Sequence, residues 1–129
     1  MNLKELPVET SEAILDAIDI DMSFVDVEDR VKFFNNPRSG RVFPRTKMDL
    51  GRKVQNCHPP QSLDKVNAIL KGFRDGSMKE APFWIAMKGK FIKIDYFPVR
   101  SGDGAYLGTV EVVQDATGLR SLQGEKRLL

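Results

Sequence analysis

The apolar positions of the chain fall into two rhythms, a helical one near the ends and in the middle and an alternating one elsewhere. Ile14, Leu15 and Ile18 follow Thr10 and Ser11 at helical spacing, with Glu12 and Asp16 between them. This predicts a short amphipathic helix with Thr10 or Ser11 as its cap and acids near its start. From Ile20 the period becomes two. Ile20, Met22 and Phe24 alternate with Asp21, Ser23 and Val25, and after Asp26–Asp29, Val31 and Phe33 alternate with Lys32 and Phe34. Two strands joined by a tight turn form a hairpin.

Asn35 to Asn56 supports no long element, because Asn36-Pro37, Ser39-Gly40, Pro44 and Gly51 interrupt it. Short helical turns fit, one around Thr46–Leu50 with Thr46 as cap and Asp49 three residues on. The stretch is basic: Arg38, Arg41, Arg45, Lys47, Arg52 and Lys53 face Asp49. It reads either as a solvated connecting face or as a surface for an anion or a partner. After His58-Pro59-Pro60, residues Leu63, Val66, Ile69, Leu70 and Phe73 recur at helical spacing until Asp75-Gly76 stops the run.

Alternation then returns in Pro82–Lys88, Phe91–Val99 and Tyr106–Gln114, separated by Lys88-Gly89-Lys90 and Ser101-Gly102-Asp103-Gly104. Ile92, Ile94 and Tyr96 share one face against Lys93 and Asp95, and Val110 and Val112 oppose Thr109 and Glu111. The outer sheet face groups Phe91, Phe97, Val99, Leu107 and Val113 with Lys93, Asp95 and Glu111. Asp115-Ala116-Thr117 leads into a closing helix with Leu119, Leu122 and Leu129. Strands joined by short turns pair antiparallel. The fold class is therefore α+β, a five-stranded antiparallel sheet with helices on one face and a helix at each end.

Composition adds mainly exclusions. With 129 residues there is room for one domain, and a net charge of +2 is no electrostatic footprint for nucleic acid or a membrane surface. One cysteine excludes an internal disulfide, and with one histidine it cannot complete a structural zinc site. No apolar run is long enough to span a bilayer, and no signal-peptide core is visible, so the cytoplasm is the expected compartment. The module is expected to be part of a longer protein.

The order of elements and the closing residues resemble a PAS domain, over roughly Ile18 to Leu129. The most specific part is Gly102-Asp103-Gly104-Ala105-Tyr106-Leu107-Gly108 followed by Val110-Glu111-Val112-Val113-Gln114-Asp115-Ala116-Thr117. Phe24-Val25-Asp26 with Arg30-Val31-Lys32-Phe33-Phe34 is similar to the family's opening hairpin, and Gly51-Arg52-Lys53-Val54 also fits. Asn56-Cys57-His58-Pro59-Pro60 resembles the variety attached to hemerythrin-like domains. The resemblance implies a non-enzymatic sensory or regulatory module with a pocket between sheet and helices. It also implies dimerisation and a signal passed through a terminal helix. The expected divisions are an N-terminal helix over 1–18, the PAS-like domain over 19–115 and a signalling helix over 116–129.

Candidate chemistry is sparse. His58 carries any imidazole chemistry, and among PAS-like sensors it would be the ligand for haem or a metal ion, the alternative to a plain small-molecule or partner-binding module. Cys57 lacks a base within reach and an orienting third group, so it reads as a small hydrophobe rather than a nucleophile. Trp84, Tyr96, Phe24, Phe33 and Phe73 either line a ligand cavity or are core, and His58 with Trp84, Tyr96, Phe33 and Phe73 forms the expected ligand site. Asp115 and Thr117 either cap the last helix or also relay strand position to it. Leu119, Leu122, Lys126 and Leu129 form a short heptad seam, which with the outer sheet face predicts a homodimer.

Overall fold

A computed structural model describes residues 2–129. The elements are α1 (Val8–Ala17), β1 (Asp21–Asp26), β2 (Val31–Phe34), α2 (Leu63–Asp75), β3 (Ala81–Met87), β4 (Lys90–Arg100), β5 (Tyr106–Asp115) and α3 (Thr117–Arg120). Single 3-10 turns occupy Leu3–Glu5, Lys47–Asp49, Val54–Cys57 and Pro60–Ser62. The five strands form one sheet in the order β2-β1-β5-β4-β3, and every neighbouring pair is antiparallel. The expected fold class is the observed one.

Local chemistry explains the joints. The Asp26 carboxylate accepts from the backbone N–H of Glu28 and of Arg30 at 2.9 and 3.1 Å, which closes the β1–β2 turn. Thr46 and Asp49 form the expected reciprocal cap, the Asp49 carboxylate accepting from Thr46 N at 2.8 Å. Gly76 ends α2 with a left-handed φ of 81°. Gly108 lies so close to β1 that a Cβ there would sit 2.1 Å from the Val25 carbonyl oxygen, so a side chain is excluded where β5 crosses β1.

Three expectations change. Helix α1 begins at Val8 behind Pro7, with no side-chain cap, so Thr10 and Ser11 lie inside it. The closing helix over 116–129 is confined to Thr117–Arg120, and Leu119 and Leu122 are exposed. Gly124 disfavours continuation, and the exposed residues beyond Arg120 lack the packed face that sustains a helix. The third change is in the sheet faces. Register pairs Asp21 with Val113 and Ser23 with Glu111 on β1 and β5, and Ile94 with Val113 and Tyr96 with Glu111 on β4 and β5. Glu111 and Val113 therefore join Ile94 and Tyr96 on the helix-covered face, and Val110 and Val112 take the outer one.

Beneath α2 the core forms two clusters. Val25, Val31, Val54 and Leu70 make one, and Ile69, Phe73 and Ala81 the other, with Phe83 and Tyr96 packed against it. The space between the clusters becomes the site.

Candidate functional site

The inward residues of adjacent strands line up in rows across the sheet. One row runs Ser23 on β1, Glu111 on β5 and Tyr96 on β4, ending at Ala81 on β3. Above it stand Val66, Ile69 and Leu70 of α2, and between row and helix lies a cavity of about 310 Å³. Phe83, Ile94, Val25 and Val54 complete its apolar walls, and Thr109, His58, Ser62 and Lys65 add polar groups. A volume near 300 Å³ with apolar walls and a few convergent polar groups is the usual form of a small-molecule site, at the lower end of the size range. A wider hollow of about 630 Å³ adjoins it on the side of Phe43, Cys57 and Pro59, sharing Arg45, His58, Tyr96 and Glu111 with it.

The basic connection supplies the cavity's strongest charge. Asp21 is buried, and its carboxylate accepts from Val42 N and Phe43 N at 3.1 and 3.0 Å. Holding this backbone turns the flanking arginines onto the sheet. Arg41 Nη2 lies 3.9 Å from the Asp21 carboxylate and donates to Ser23 Oγ at 3.1 Å, with its guanidinium over the Phe34 ring. Burial holds the Arg41 guanidinium below its ordinary range, partly offset by Asp21. Arg45 Nε donates to the same Ser23 hydroxyl at 2.9 Å, and its Nη2 lies 3.8 Å from Glu111 Oε1. The Arg45 and Glu111 side chains are 12% and 14% exposed. The stretch read as a solvated face or a docking surface thus places two arginines inside the domain.

The sequence-predicted site residues divide. His58 and Tyr96 line the cavity. His58 Nδ1 lies 3.0 Å from the Val54 carbonyl oxygen, which can only accept, so Nδ1 donates that bond and Nε2 is the ring nitrogen left outside it. Burial, and after it the facing Glu111 carboxylate, push the Tyr96 phenol above its ordinary range, keeping it neutral. Phe73 is fully buried in the core behind the cavity, packed with Tyr96 and Phe83, and does not line it. Phe33 pairs with Phe24 on the outer face, and Trp84 lies outside the cavity with 62% of its surface exposed. Both belong to the wrong strand parity for an inward site. Cys57 is half-buried beside the wider hollow, its Sγ 3.7 Å from the Lys53 carbonyl oxygen.

Asp115 and Thr117 sit where β5 leaves the sheet. The Asp115 carboxylate accepts from the Thr117 hydroxyl and N–H at 2.6 and 3.0 Å, and Thr117 Oγ1 accepts from Phe91 N at 2.9 Å. Ala116 N donates to the Phe91 carbonyl at 2.8 Å, and the Arg120 guanidinium lies 4.3 Å over the Phe91 ring. The start of β4, the end of β5 and the first turn of α3 are thereby fastened together.

Sequence reasoning missed Ser23, Glu111 and Thr109, and it placed Arg45 on a surface rather than inside. Their signal is strand parity: Asp21, Ser23 and Val25 share a face, as do Thr109, Glu111 and Val113. Apolar content assigns these faces outward, and only the partner arginines from the connection make them tolerable inside.

Residues 12–117 match the profile of a family described as PAS domain. The C-terminal domain of a Streptococcus mutans protein has a similar structure, with 34% identity and a TM-score of 0.83 over 92% of this chain and 91% of that one. A sensory box sensor histidine kinase from Vibrio cholerae is similar at 15% identity and a TM-score of 0.58, over 85% of this chain and 91% of that one. The PAS domain of a Colwellia psychrerythraea protein aligns at 12% identity and a TM-score of 0.60, over 86% of this chain and 98% of that one. No curated protein sequence matches significantly.

Proposed function

Since this chain belongs to the PAS domain family, we propose that it is a sensory module that takes a small molecule into the cavity between α2 and the sheet and relays occupancy along β5. One observation carries this reading. Glu111, on the cavity floor, and Asp115, at the α3 junction, lie on one strand and one face, about 14 Å apart at strand spacing. A ligand that moves the Arg45–Glu111 pair displaces the strand that ends in the Asp115–Thr117 fastening.

The reading assigns no catalysis. It places the module in the cytoplasm, within a longer protein, in the variety associated with hemerythrin-like domains; Asn56-Cys57-His58-Pro59-Pro60 supports that last point. It also includes a homodimer, with exposed Trp84, Phe97, Leu119 and Leu122 as the apolar contact. Sedimentation equilibrium of the wild type and of Trp84→Glu tests the dimer.

The haem alternative has one supporting observation, the place of His58 at the cavity with only its Nδ1 bound to the backbone. The surroundings do not fit it. The cavity floor beside His58 carries the Arg45–Glu111 ion pair rather than an apolar face for a tetrapyrrole. For a bare metal ion, no three His, Cys, Asp or Glu side chains converge among the described residues. Absence of a Soret band after haem addition is the expected result.

The small-molecule reading is tested by heteronuclear NMR with a fragment panel. The expected result is perturbation of Ile69, Leu70 and Ile94 methyls together with the Thr117 amide, blocked in the cavity-filling variant Ile69→Trp. A panel that leaves these signals unmoved rejects it.

A further inference from the structure

The cavity's charges are not balanced. Arg41 and Asp21 pair beneath the floor, Arg45 faces Glu111 within the cavity, and the exposed Lys65 adds a second cation at its rim. Lys65 Nζ lies 5.2 Å over the Phe83 ring, at the cavity wall. Glu111 is compensated on two sides, by Arg45 and by the facing neutral phenol of Tyr96. Arg45 is hydrogen-bonded on one side only. Its Nε is hydrogen-bonded to Ser23, while its Nη2 is 3.8 Å from Glu111, beyond hydrogen-bond length.

We infer that the cavity selects a small organic carboxylate with an apolar body, its carboxylate seated on the outer fork of Arg45 and its body against Val66, Ile69 and Leu70; this rests on the small-molecule reading above. A planar guanidinium held by its Nε offers the remaining N–H groups in the geometry that grips a carboxylate with two parallel bonds. The Arg45 side chain is mostly buried, so such bonds form away from bulk water, where they are stronger. An ammonium ligand would meet the reverse: an excess of cations, and a Glu111 already faced on two sides. A cavity of about 310 Å³ has room for the body of a medium-length acid or one with a single ring.

Octanoate, octan-1-ol and octylamine share one apolar body and differ in the head, so calorimetric titration of the wild type with each separates the charge types without any variant. The expected result is octanoate binding about ten-fold or more tightly than the alcohol, the discrimination a charge-assisted pair supplies, with the amine weaker still. Arg45→Gln and Arg45→Lys are expected to remove most of the preference for acid over alcohol, the lysine variant testing the fork rather than the charge. Glu111→Gln is expected to raise octanoate affinity by removing a like charge. Equal binding of acid and alcohol, stronger binding of the amine, or an acid preference untouched in both Arg45 variants overturns the inference while leaving the small-molecule reading in place. Should none of the three probes bind while the fragment panel finds the cavity, the carboxylate assignment fails alone; a cavity silent to both removes the reading beneath it.

Discussion

Arg41 and Asn35 are joined twice through one nitrogen: Arg41 Nη1 donates to the Asn35 carbonyl oxygen at 2.9 Å and to its side-chain oxygen at 3.2 Å. Asn35 is 1% exposed and is also the knot between α1 and β1. Its amide oxygen accepts from Met22 N at 2.7 Å, and its amide nitrogen donates to the Leu15 and Ile20 carbonyls at 3.0 and 2.8 Å. Every polar atom of the side chain is used.

Removing it strands those backbone groups in the interior. Asn35→Ala is expected to cost about 2–4 kcal/mol, since each buried group left unpaired costs about 1–3 kcal/mol. Urea denaturation measures this. A loss below about 0.5 kcal/mol, the range of ordinary surface substitutions, would contradict the role given to Asn35.

Two aromatic residues that the sequence groups together should behave oppositely. Phe73 has no exposed surface, and Phe73→Ala is expected to destabilise by about 3–5 kcal/mol. Trp84 projects from the outer face, and Trp84→Ala is expected to change monomer stability by less than about 0.5 kcal/mol. Parallel thermal and urea unfolding at low protein concentration decides it, and a large Trp84 effect would return that ring to the core.

How much of this was legible in the sequence depends on which signal carried it. Helix α2 reads directly, because Val66, Ile69, Leu70 and Phe73 keep helical spacing and Gly76 ends it in the conformation expected of a C-cap. The strand order follows from short turns, and the Thr46–Asp49 cap from residue type and spacing. Facing is where hydrophobicity misleads. Glu111 and Ser23 point inward because Arg45 reaches them from more than twenty residues away in β1's case, a pairing that no local pattern encodes. Helix α3 is short for the opposite reason: the leucines beyond it have no tertiary surface here to repay extending it through Gly124.

Tyr96 gives an alkaline signature. Its folded-state pKa is raised, so the folded chain keeps a proton that the unfolded chain releases. The associated stability is fully present below the ordinary tyrosine value of about 10 and falls as pH rises beyond it. Tyr96→Phe is expected to flatten the alkaline decline of the unfolding midpoint. Identical slopes in wild type and variant would show that the phenol is not held in this way.

Asp115 gives an acid one. Hydrogen bonds from the Thr117 hydroxyl and then its N–H hold the Asp115 carboxyl below the ordinary aspartate range. A depressed carboxyl contributes stability above its unfolded pKa, lost as pH falls through the lower folded value. In Thr117→Val the hydroxyl is gone, and the Asp115 midpoint followed by carboxyl NMR is expected to rise toward the ordinary value. An unmoved midpoint would mean that the hydroxyl bond is not made in solution.

The pairing of Asp21 with Val113 sets the first strand beside the last. Strands in register lie about 4.8 Å apart, so the chain enters and leaves the sheet side by side at one end of it. A unit with such neighbouring gateposts can be spliced into the middle of another polypeptide without stretching its host. Whatever flanks it on either side would also start from a common point, so a small slip between β1 and β5 would shift the two flanks past one another.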